Sequence, residues 1–249
     1  MRAGTRAPLA VVSGGTRGIG LALSRRLIKL GHQVVALYRS DECAARAAAG
    51  ELGPALRVLR LDVADPAAVD RVGHEVLAAY GAPRVLVNNA GVNVDRPFLQ
   101  MSPDDWQRVI DTNLSGVFHL CRALVPAMLE AGGVVVNVGA TTAIRPRVDG
   151  VNYCASKAGL LQLTKCLALE LAPRVRVNCL IPGMTETAEL VTRFRLDDPQ
   201  ARARVLAEIP QRRIGAPEDV ADALEFLVGT GSAYLTGQKI IVDGGQFMW

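Results

Sequence analysis

Tyr153 and Lys157 stand four residues apart in the stretch Tyr153-Cys154-Ala155-Ser156-Lys157. On a helix that spacing puts both side chains on one face, about 5–6 Å apart at Cβ. An ammonium beside a phenol favours the phenolate and draws the phenol pKa down from its reference near ~10. A phenol tuned in this way can give a proton to a carbonyl oxygen, or take one from an alcohol, near neutral pH. Alone, the pair is an ordinary set of neighbours on a helix surface, so the rest of the chain has to give it meaning.

The second candidate is a glycine turn. Leu9-Ala10-Val11-Val12 is a short apolar run, followed by Ser13-Gly14-Gly15-Thr16-Arg17-Gly18-Ile19-Gly20. This predicts a buried strand, a turn and the start of an amphipathic helix over about Gly18 to Leu30. Glycines let a backbone approach a ligand closely, and a helix N-terminus offers free N–H groups to a pyrophosphate. The spacing is Gly-x-x-x-Gly-x-Gly rather than the commoner Gly-x-Gly-x-x-Gly, so the turn is a weak signal by itself. The next strand, Gln33 to Tyr38, ends without a carboxylate and is followed by Arg39. An acid at that position would hold a ribose 2′-hydroxyl. Arg17 and Arg39 suit a 2′-phosphate instead, which guanidinium groups grip with paired charged hydrogen bonds. Asp41 competes with this reading, because it could serve the ribose if the strand ran longer.

Further strands are expected at Arg57–Asp62, Arg84–Val87, Gly133–Gly139, Arg174–Leu180 and Lys239–Val242, with helices over Pro66–Tyr80, from Pro103, around Tyr153 and over Pro217–Val228. Strands alternating with helical patterns predict an α/β fold, a doubly wound parallel sheet with helices on both faces. Ligands in such sheets sit beyond the carboxyl ends of the strands. Asn113 falls inside an apolar helix, as a packing amide or a functional group. Residues 184–213 lack a clean period and carry Arg193, Arg195, Arg202, Arg204, Arg212 and Arg213. They are expected to form a mobile substrate lid, or else a solvated face.

Composition sets the outer limits. At 249 residues and 50% hydrophobic content the chain can bury one large core, and residues 9–249 are expected to form a single domain behind a tail at 1–8. A net charge of +4, spread along the chain, gives no reason to expect nucleic acid. Five scattered cysteines predict reduced thiols in the cytoplasm, and three dispersed histidines give no metal site. Met1 to Pro8 lacks the apolar core of a signal peptide, and no apolar run approaches the length of a membrane span.

Taken together, Ser13-Gly14…Gly18-Ile19-Gly20, Asn88-Asn89-Ala90-Gly91, Asn113, Tyr153-x-x-x-Lys157 and Pro182-Gly183 resemble the short-chain dehydrogenase/reductases from about Leu9 to Gly245. The stretches Ile209-Pro210…Gly215-Ala216-Pro217-Glu218-Asp219 and Tyr234-Leu235-Thr236-Gly237-Gln238…Val242-Asp243-Gly244-Gly245 resemble the subgroup of 3-oxoacyl-[acyl-carrier-protein] reductases. The resemblance implies a Rossmann-type sheet of seven strands, a homotetramer, and hydride transfer from NADPH to a ketone such as a 3-oxoacyl thioester or polyketide-like substrate. It implies Tyr153 as proton donor, Lys157 on the nicotinamide ribose, and Asn113 positioning a water. The cofactor would lie along Gly14, Gly15, Thr16, Arg17, Gly18, Ile19 and Gly20. Asp62 and Val63 would meet the adenine, Asn89, Ala90 and Gly91 the adenosine side, and Pro182, Thr185 and Thr187 the nicotinamide end. Acyl carrier protein is an implied partner, and the lid arginines could meet its acidic surface.

One position departs from the family pattern. The family's catalytic serine lies thirteen residues before the tyrosine, and here that residue is Ala140. Removing one hydrogen-bond donor of this kind costs ~10²–10³ in rate. Three accounts are open: Thr141 or Thr142 supplies the hydroxyl, the chain is a low-activity variant, or it performs binding, regulation or a non-redox step on the same scaffold.

Overall fold

Successive side chains of a strand point to opposite faces, so a strand buried on both faces reads as one continuous apolar run. A computed structural model, which describes residues 7–248, arranges these runs in one parallel sheet. Its strands are β1 Leu9–Ser13, β2 Gln33–Tyr38, β3 Leu56–Arg60, β4 Val85–Asn88, β5 Gly133–Val138, β6 Val175–Pro182 and β7 Lys239–Val242. Their spatial order is β3-β2-β1-β4-β5-β6-β7. The expected tail falls largely on residues 1–6, which lie outside the described residues.

The strands alternate face by face. Val11, Val35, Leu86, Val135 and Val177 pack on one side, while Ala10, Val12, Val34, Val87 and Val136 pack on the other. The first side is covered by α3 (Pro66–Tyr80), α5 (Gly116–Ala131) and α6 (Val151–Leu171). The second is covered by α1 (Gly18–Lys29), α2 (Glu42–Leu52) and α9 (Pro217–Val228). Leu23 and Leu27 of α1 and Leu224 and Leu227 of α9 are fully buried there. Each such side chain contributes ~1.5–3 kcal/mol relative to exposure.

Strand order reverses between β1 and β4, and their ends stand in register, Ser13 beside Asn88. A crevice opens beyond the carboxyl ends of the strands at such a switch point. The helix expected from Pro103 is in fact two helices, α4 (Pro103–Ile110) and α5, joined by a π-helical turn at Asp111–Ser115. The stretch Pro103–Ala131 is long enough to cross a membrane and contains an 18-residue window of mean hydropathy 1.2, a composition that the core helix of a globular domain shares. Its Val117, Leu120, Cys121, Leu124 and Met128 belong to the core.

The segment without a clean period is helical in part. Residues 184–213 contain α7 (Ala188–Phe194) and α8 (Pro199–Glu208), held by a small core of Leu196, Ile209 and Ile214. Three buried side chains among many charges leave no helical period to read, although they suffice to pack two short helices.

Candidate active site

The glycine turn is shaped by backbone contacts. Gly14 and Gly18 adopt φ of +63° and +51°, conformations that side chains with a Cβ rarely take. A Cβ on Gly20 would lie 2.0 Å from the Gly14 carbonyl oxygen, so the turn and the helix start touch directly. Residue 17 precedes α1 and its side chain makes no capping hydrogen bond, and the first turn carries no acid. The N–H groups at that helix end are therefore open to an anion. The Asn89 amide donates to the Ser13 and Gly14 carbonyls at 3.0 and 3.1 Å, and Ser13 Oγ accepts from the Asn89 and Ala90 N–H groups, both at 3.0 Å. Asn89 thus ties β4 to the turn with its side chain, a duty the sequence reading missed.

At the end of β2, Arg39 is exposed and its carbonyl accepts from Arg60 Nε at 3.1 Å. Arg60, which closes β3, brings a third guanidinium to this corner and was not anticipated. Asp41 caps α2 by accepting from the Ala44 N–H at 3.0 Å, and Arg17 approaches it at 3.9 Å. The strand stops at Tyr38, so Asp41 is drawn into the cap. Thr16 is buried, and Ile19 packs on the adjacent core. Asp62 is exposed and accepts from the Ala64 N–H. The Val63 side chain is buried and would lie 2.7 Å from a Cβ on Gly116, so it is the Val63 backbone that faces away from this packing.

The second cluster is built from side chains. Asn113 is fully buried in the π-helical turn, a feature frequent at functional sites. Its Oδ1 accepts from the Val92 N–H at 2.8 Å, and its Nδ2 donates to the Val92 carbonyl at 2.9 Å and to Ser156 Oγ at 3.2 Å. Ser156 in turn donates to the Tyr153 carbonyl at 2.8 Å. Asn152, also fully buried, donates to the Val94 and Asp105 carbonyls and accepts from the Tyr153 N–H at 2.7 Å. Asn152 and Ser156 fasten Tyr153 between α4, the loop after β4 and α6. Neither had a sequence signal beyond its neighbourhood to the tyrosine.

Lys157 is buried, and its ammonium donates to the Val138 carbonyl at 2.8 Å. Burial draws its pKa down to about 8, against a small opposing effect of Cys179. It lies 5.8 Å from the centre of the Tyr153 ring. A Cβ on Gly91 would be 3.4 Å from Asn113 Oδ1 and 3.8 Å from Lys157 Nζ. Gly91, Asn113, Tyr153 and Lys157 therefore meet at one place. The electrostatics correct the expectation of a depressed phenol. Burial pushes Tyr153 up to about 12, with Glu189 adding to the rise and Arg147 and Arg193 opposing it. Lys157 points its proton at a strand carbonyl, so burial of the phenol prevails.

Ala140 follows β5 in extended conformation and leads into a short turn, Thr141–Ala143, packed on α6. The Thr142 hydroxyl is buried and has no hydrogen-bond partner among the described residues. On the far side, Pro182 ends β6. Thr185 Oγ1 donates to the Gly183 carbonyl at 3.3 Å, and Thr187 caps α7 by accepting from the Leu190 N–H at 3.3 Å. Their hydroxyls thus have local partners. The Thr187 methyl would stand 3.4 Å from a Cβ on Gly18, which brings the start of α7 to the glycine turn. Of the arginines in residues 184–213, Arg193 pairs with Asp95, Arg202 with Glu186 at 2.9 Å and Arg213 with Asp219 at 2.5 Å. The cationic surface foreseen for a partner is correspondingly smaller.

A parallel sheet with a glycine turn at its switch point and a Tyr-Lys-Asn cluster beside it defines a nucleotide-dependent oxidoreductase scaffold. The chain belongs to the short-chain dehydrogenase/reductase family; residues 14–246 match the family model described as enoyl-(acyl carrier protein) reductase. It is 41% identical to 3beta-hydroxysteroid dehydrogenase 1 of Eggerthella lenta, covering 96% of this chain and 93% of that one. It is 37% identical to the 3-oxoacyl-[acyl-carrier-protein] reductase FabG of Escherichia coli, covering 96% and 97%. Among solved structures, a short-chain dehydrogenase/reductase of the glucose/ribitol dehydrogenase kind from Brucella melitensis superposes with a TM-score of 0.90 at 28% identity, covering 97% of both chains.

Proposed function

We propose that the protein is an NADPH-dependent ketoreductase that reduces a 3-oxoacyl thioester or a polyketide-like ketone, with Tyr153 as proton donor. The observation that carries this reading is the meeting of Tyr153, Lys157, Asn113 and Gly91 beyond the ends of β4 and β5.

The residues fit the cofactor. The open N-terminus of α1 and the Gly14–Gly20 turn suit the pyrophosphate, and Arg17 and Arg39 suit a 2′-phosphate. When bound, NADPH supplies the hydride. Lys157 keeps two N–H groups free of its bond to Val138, enough to hold a ribose diol. Tyr153 gives its proton to the carbonyl oxygen, and Asn113 orders the backbone at Val92 beside it. Pro182, Thr185 and Thr187 border the nicotinamide end through backbone and methyl groups. Thr142 supports the account in which a threonine replaces the missing serine, because its buried hydroxyl is free to donate.

The FabG relatives are named for substrates on acyl carrier protein, and a carrier-delivered thioester is proposed here on that likeness. A homotetramer is proposed as well, supported by Trp106 and Phe118, which stay 39% and 47% exposed on α4 and α5. Five free cysteines suit a cytoplasmic location, away from membranes and nucleic acid.

The test is NADPH oxidation against simple ketones, 3-oxoacyl thioesters and 3-ketosteroids, beside Ala140→Ser and Thr142→Val. The steroids enter because of the 41% identical relative. If Thr142 donates, Thr142→Val lowers kcat by ~10² and Ala140→Ser adds little. If no threonine donates, Ala140→Ser raises kcat by ~10². Identical background oxidation by wild type, Ala140→Ser and Tyr153→Phe over the whole panel would overturn the reading and leave a cofactor-binding or partner subunit, or a non-redox enzyme on this scaffold.

A further inference from the structure

Three segments far apart in sequence meet at one carboxylate. Arg147, in the loop before α6, donates from Nη2 to Asp95 Oδ1 at 2.6 Å and to Asn93 Oδ1 at 2.7 Å. Arg193, on α7, donates to the other oxygen of Asp95. All three charged side chains are largely withdrawn from solvent, Asp95 at 29% and each arginine at 25% exposure. Burial opposes the charge on Asp95, but hydrogen bonds from Arg147 and Asn93, with the charges of Arg147 and Arg193, hold its carboxyl below the usual range.

This group is not free-standing. The Arg147 guanidinium lies over the Tyr153 ring, 5.5 Å from its centre. A cation over an aromatic face within about 6 Å is attracted to the ring. The other charged or titratable groups facing the phenol are Lys157 and Cys154 on its own helix, and Glu189 and Arg193 on α7. Lys157 is directed at Val138, and Glu189 opposes ionisation. The arginines are the groups placed to favour the phenolate, and one of them sits on α7.

We propose that Arg147 is a positioning residue for Tyr153: fastened by Asp95 and Asn93, it seats the phenol ring and supplies the cation that favours its ionised form, and Arg193 links that arrangement to the position of α7. The inference rests on the reading of Tyr153 as proton donor. Arginine suits the task because its planar fork can bridge Asn93 and Asp95 while its face covers the ring, whereas a lysine offers only a point charge.

The experiment measures kcat against pH at saturating NADPH for wild type, Arg147→Gln, Arg147→Lys and Arg193→Gln. Removing a cation at this range shifts a phenol by about one pH unit or more. Arg147→Gln is expected to lower kcat near neutrality by up to about tenfold, because the phenol stays protonated there but becomes a weaker acid, and to move the Tyr153 limb upward, with little change in KM for NADPH. Arg147→Lys restores part of the shift, and Arg193→Gln moves the limb the same way by less. A limb left at the wild-type position in Arg147→Gln overturns the proposal; a fall in kcat without that shift marks a merely structural role. Should Arg147→Gln fail to fold, Arg193→Gln decides by the same criterion. If wild type reduces no ketone, the proton-donor reading fails instead. The ultraviolet titration of tyrosinate, wild type minus Tyr153→Phe, then decides for Arg147: a higher midpoint in its Gln variant sustains the effect on the phenol, and an unchanged midpoint overturns it.

Discussion

The two ends of the crevice are made of different materials. At the β1–α1 end the surface is backbone: a glycine turn, a helix N-terminus and carbonyls fastened by Ser13 and Asn89. At the α6 end it is side chain: Tyr153 and Lys157, set by Asn113, Asn152 and Ser156 and flanked by an ion-paired group around Asp95. A backbone site tolerates no added atoms but needs no titrating group. A side-chain site tolerates changes of shape but depends on charge and on hydrogen bonds from distant segments. The difference predicts how each end fails.

The largest effect belongs to the side-chain end. Tyr153→Phe should lower kcat by ~10²–10⁴, the usual contribution of general acid catalysis, while NADPH affinity, measured by fluorescence titration, stays near wild type. Comparable weakening of cofactor binding would mean that the two ends are not separable in this way.

The backbone end is probed by glycine. Gly20→Ala places a methyl against the Gly14 carbonyl and 2.6 Å from the Asn89 amide. It should lower stability by ~1–3 kcal/mol and strip NADPH affinity together with it. Gly50→Ala is the control, since among the described residues nothing beyond its chain neighbours and the backbone of its own helix α2 lies within 4 Å of its added Cβ. It should raise the melting temperature slightly, by ~0.5–1 kcal/mol of helix propensity. Equal outcomes for the two would contradict the tight turn.

Between these lies the arginine corner. Arg39→Asp should cost ~1.5–3 kcal/mol of NADPH affinity, the worth of a charged hydrogen bond, and spare NADH. Equal affinity of wild type for the two cofactors would remove the 2′-phosphate argument.

The smallest effect is a slope. Burial holds Lys157 at about 8 in the folded protein, below its ordinary 10.5. The unfolded chain therefore binds that proton more tightly between these values, and stability rises with pH across the window. Lys157→Met should flatten the rise in denaturant titrations repeated from pH ~8 to ~10.5. An unchanged slope would place the lysine in contact with water.

Part of this was legible in the chain itself. Apolar runs and turn residues sufficed for the sheet, because a strand covered on both faces leaves an unbroken hydrophobic signature. The bounds of β2, α3, α9 and β7 agree with expectation, and Gly14, Gly18, Tyr153 and Lys157 stand out because turns and helix faces are matters of local spacing. Tertiary structure alone decided the rest. The direction of the Tyr153 shift depends on how deeply the ring is packed and where the Lys157 ammonium points, and spacing of four residues specifies neither. The capture of Asp41 by the α2 N-terminus, the engagement of Asn89 with the glycine turn and the joining of Asp95, Arg147 and Arg193 likewise unite partners that compete for the same donors. Pairings between residues up to 98 positions apart are set by the packing of the whole chain, and no local pattern records which partner wins.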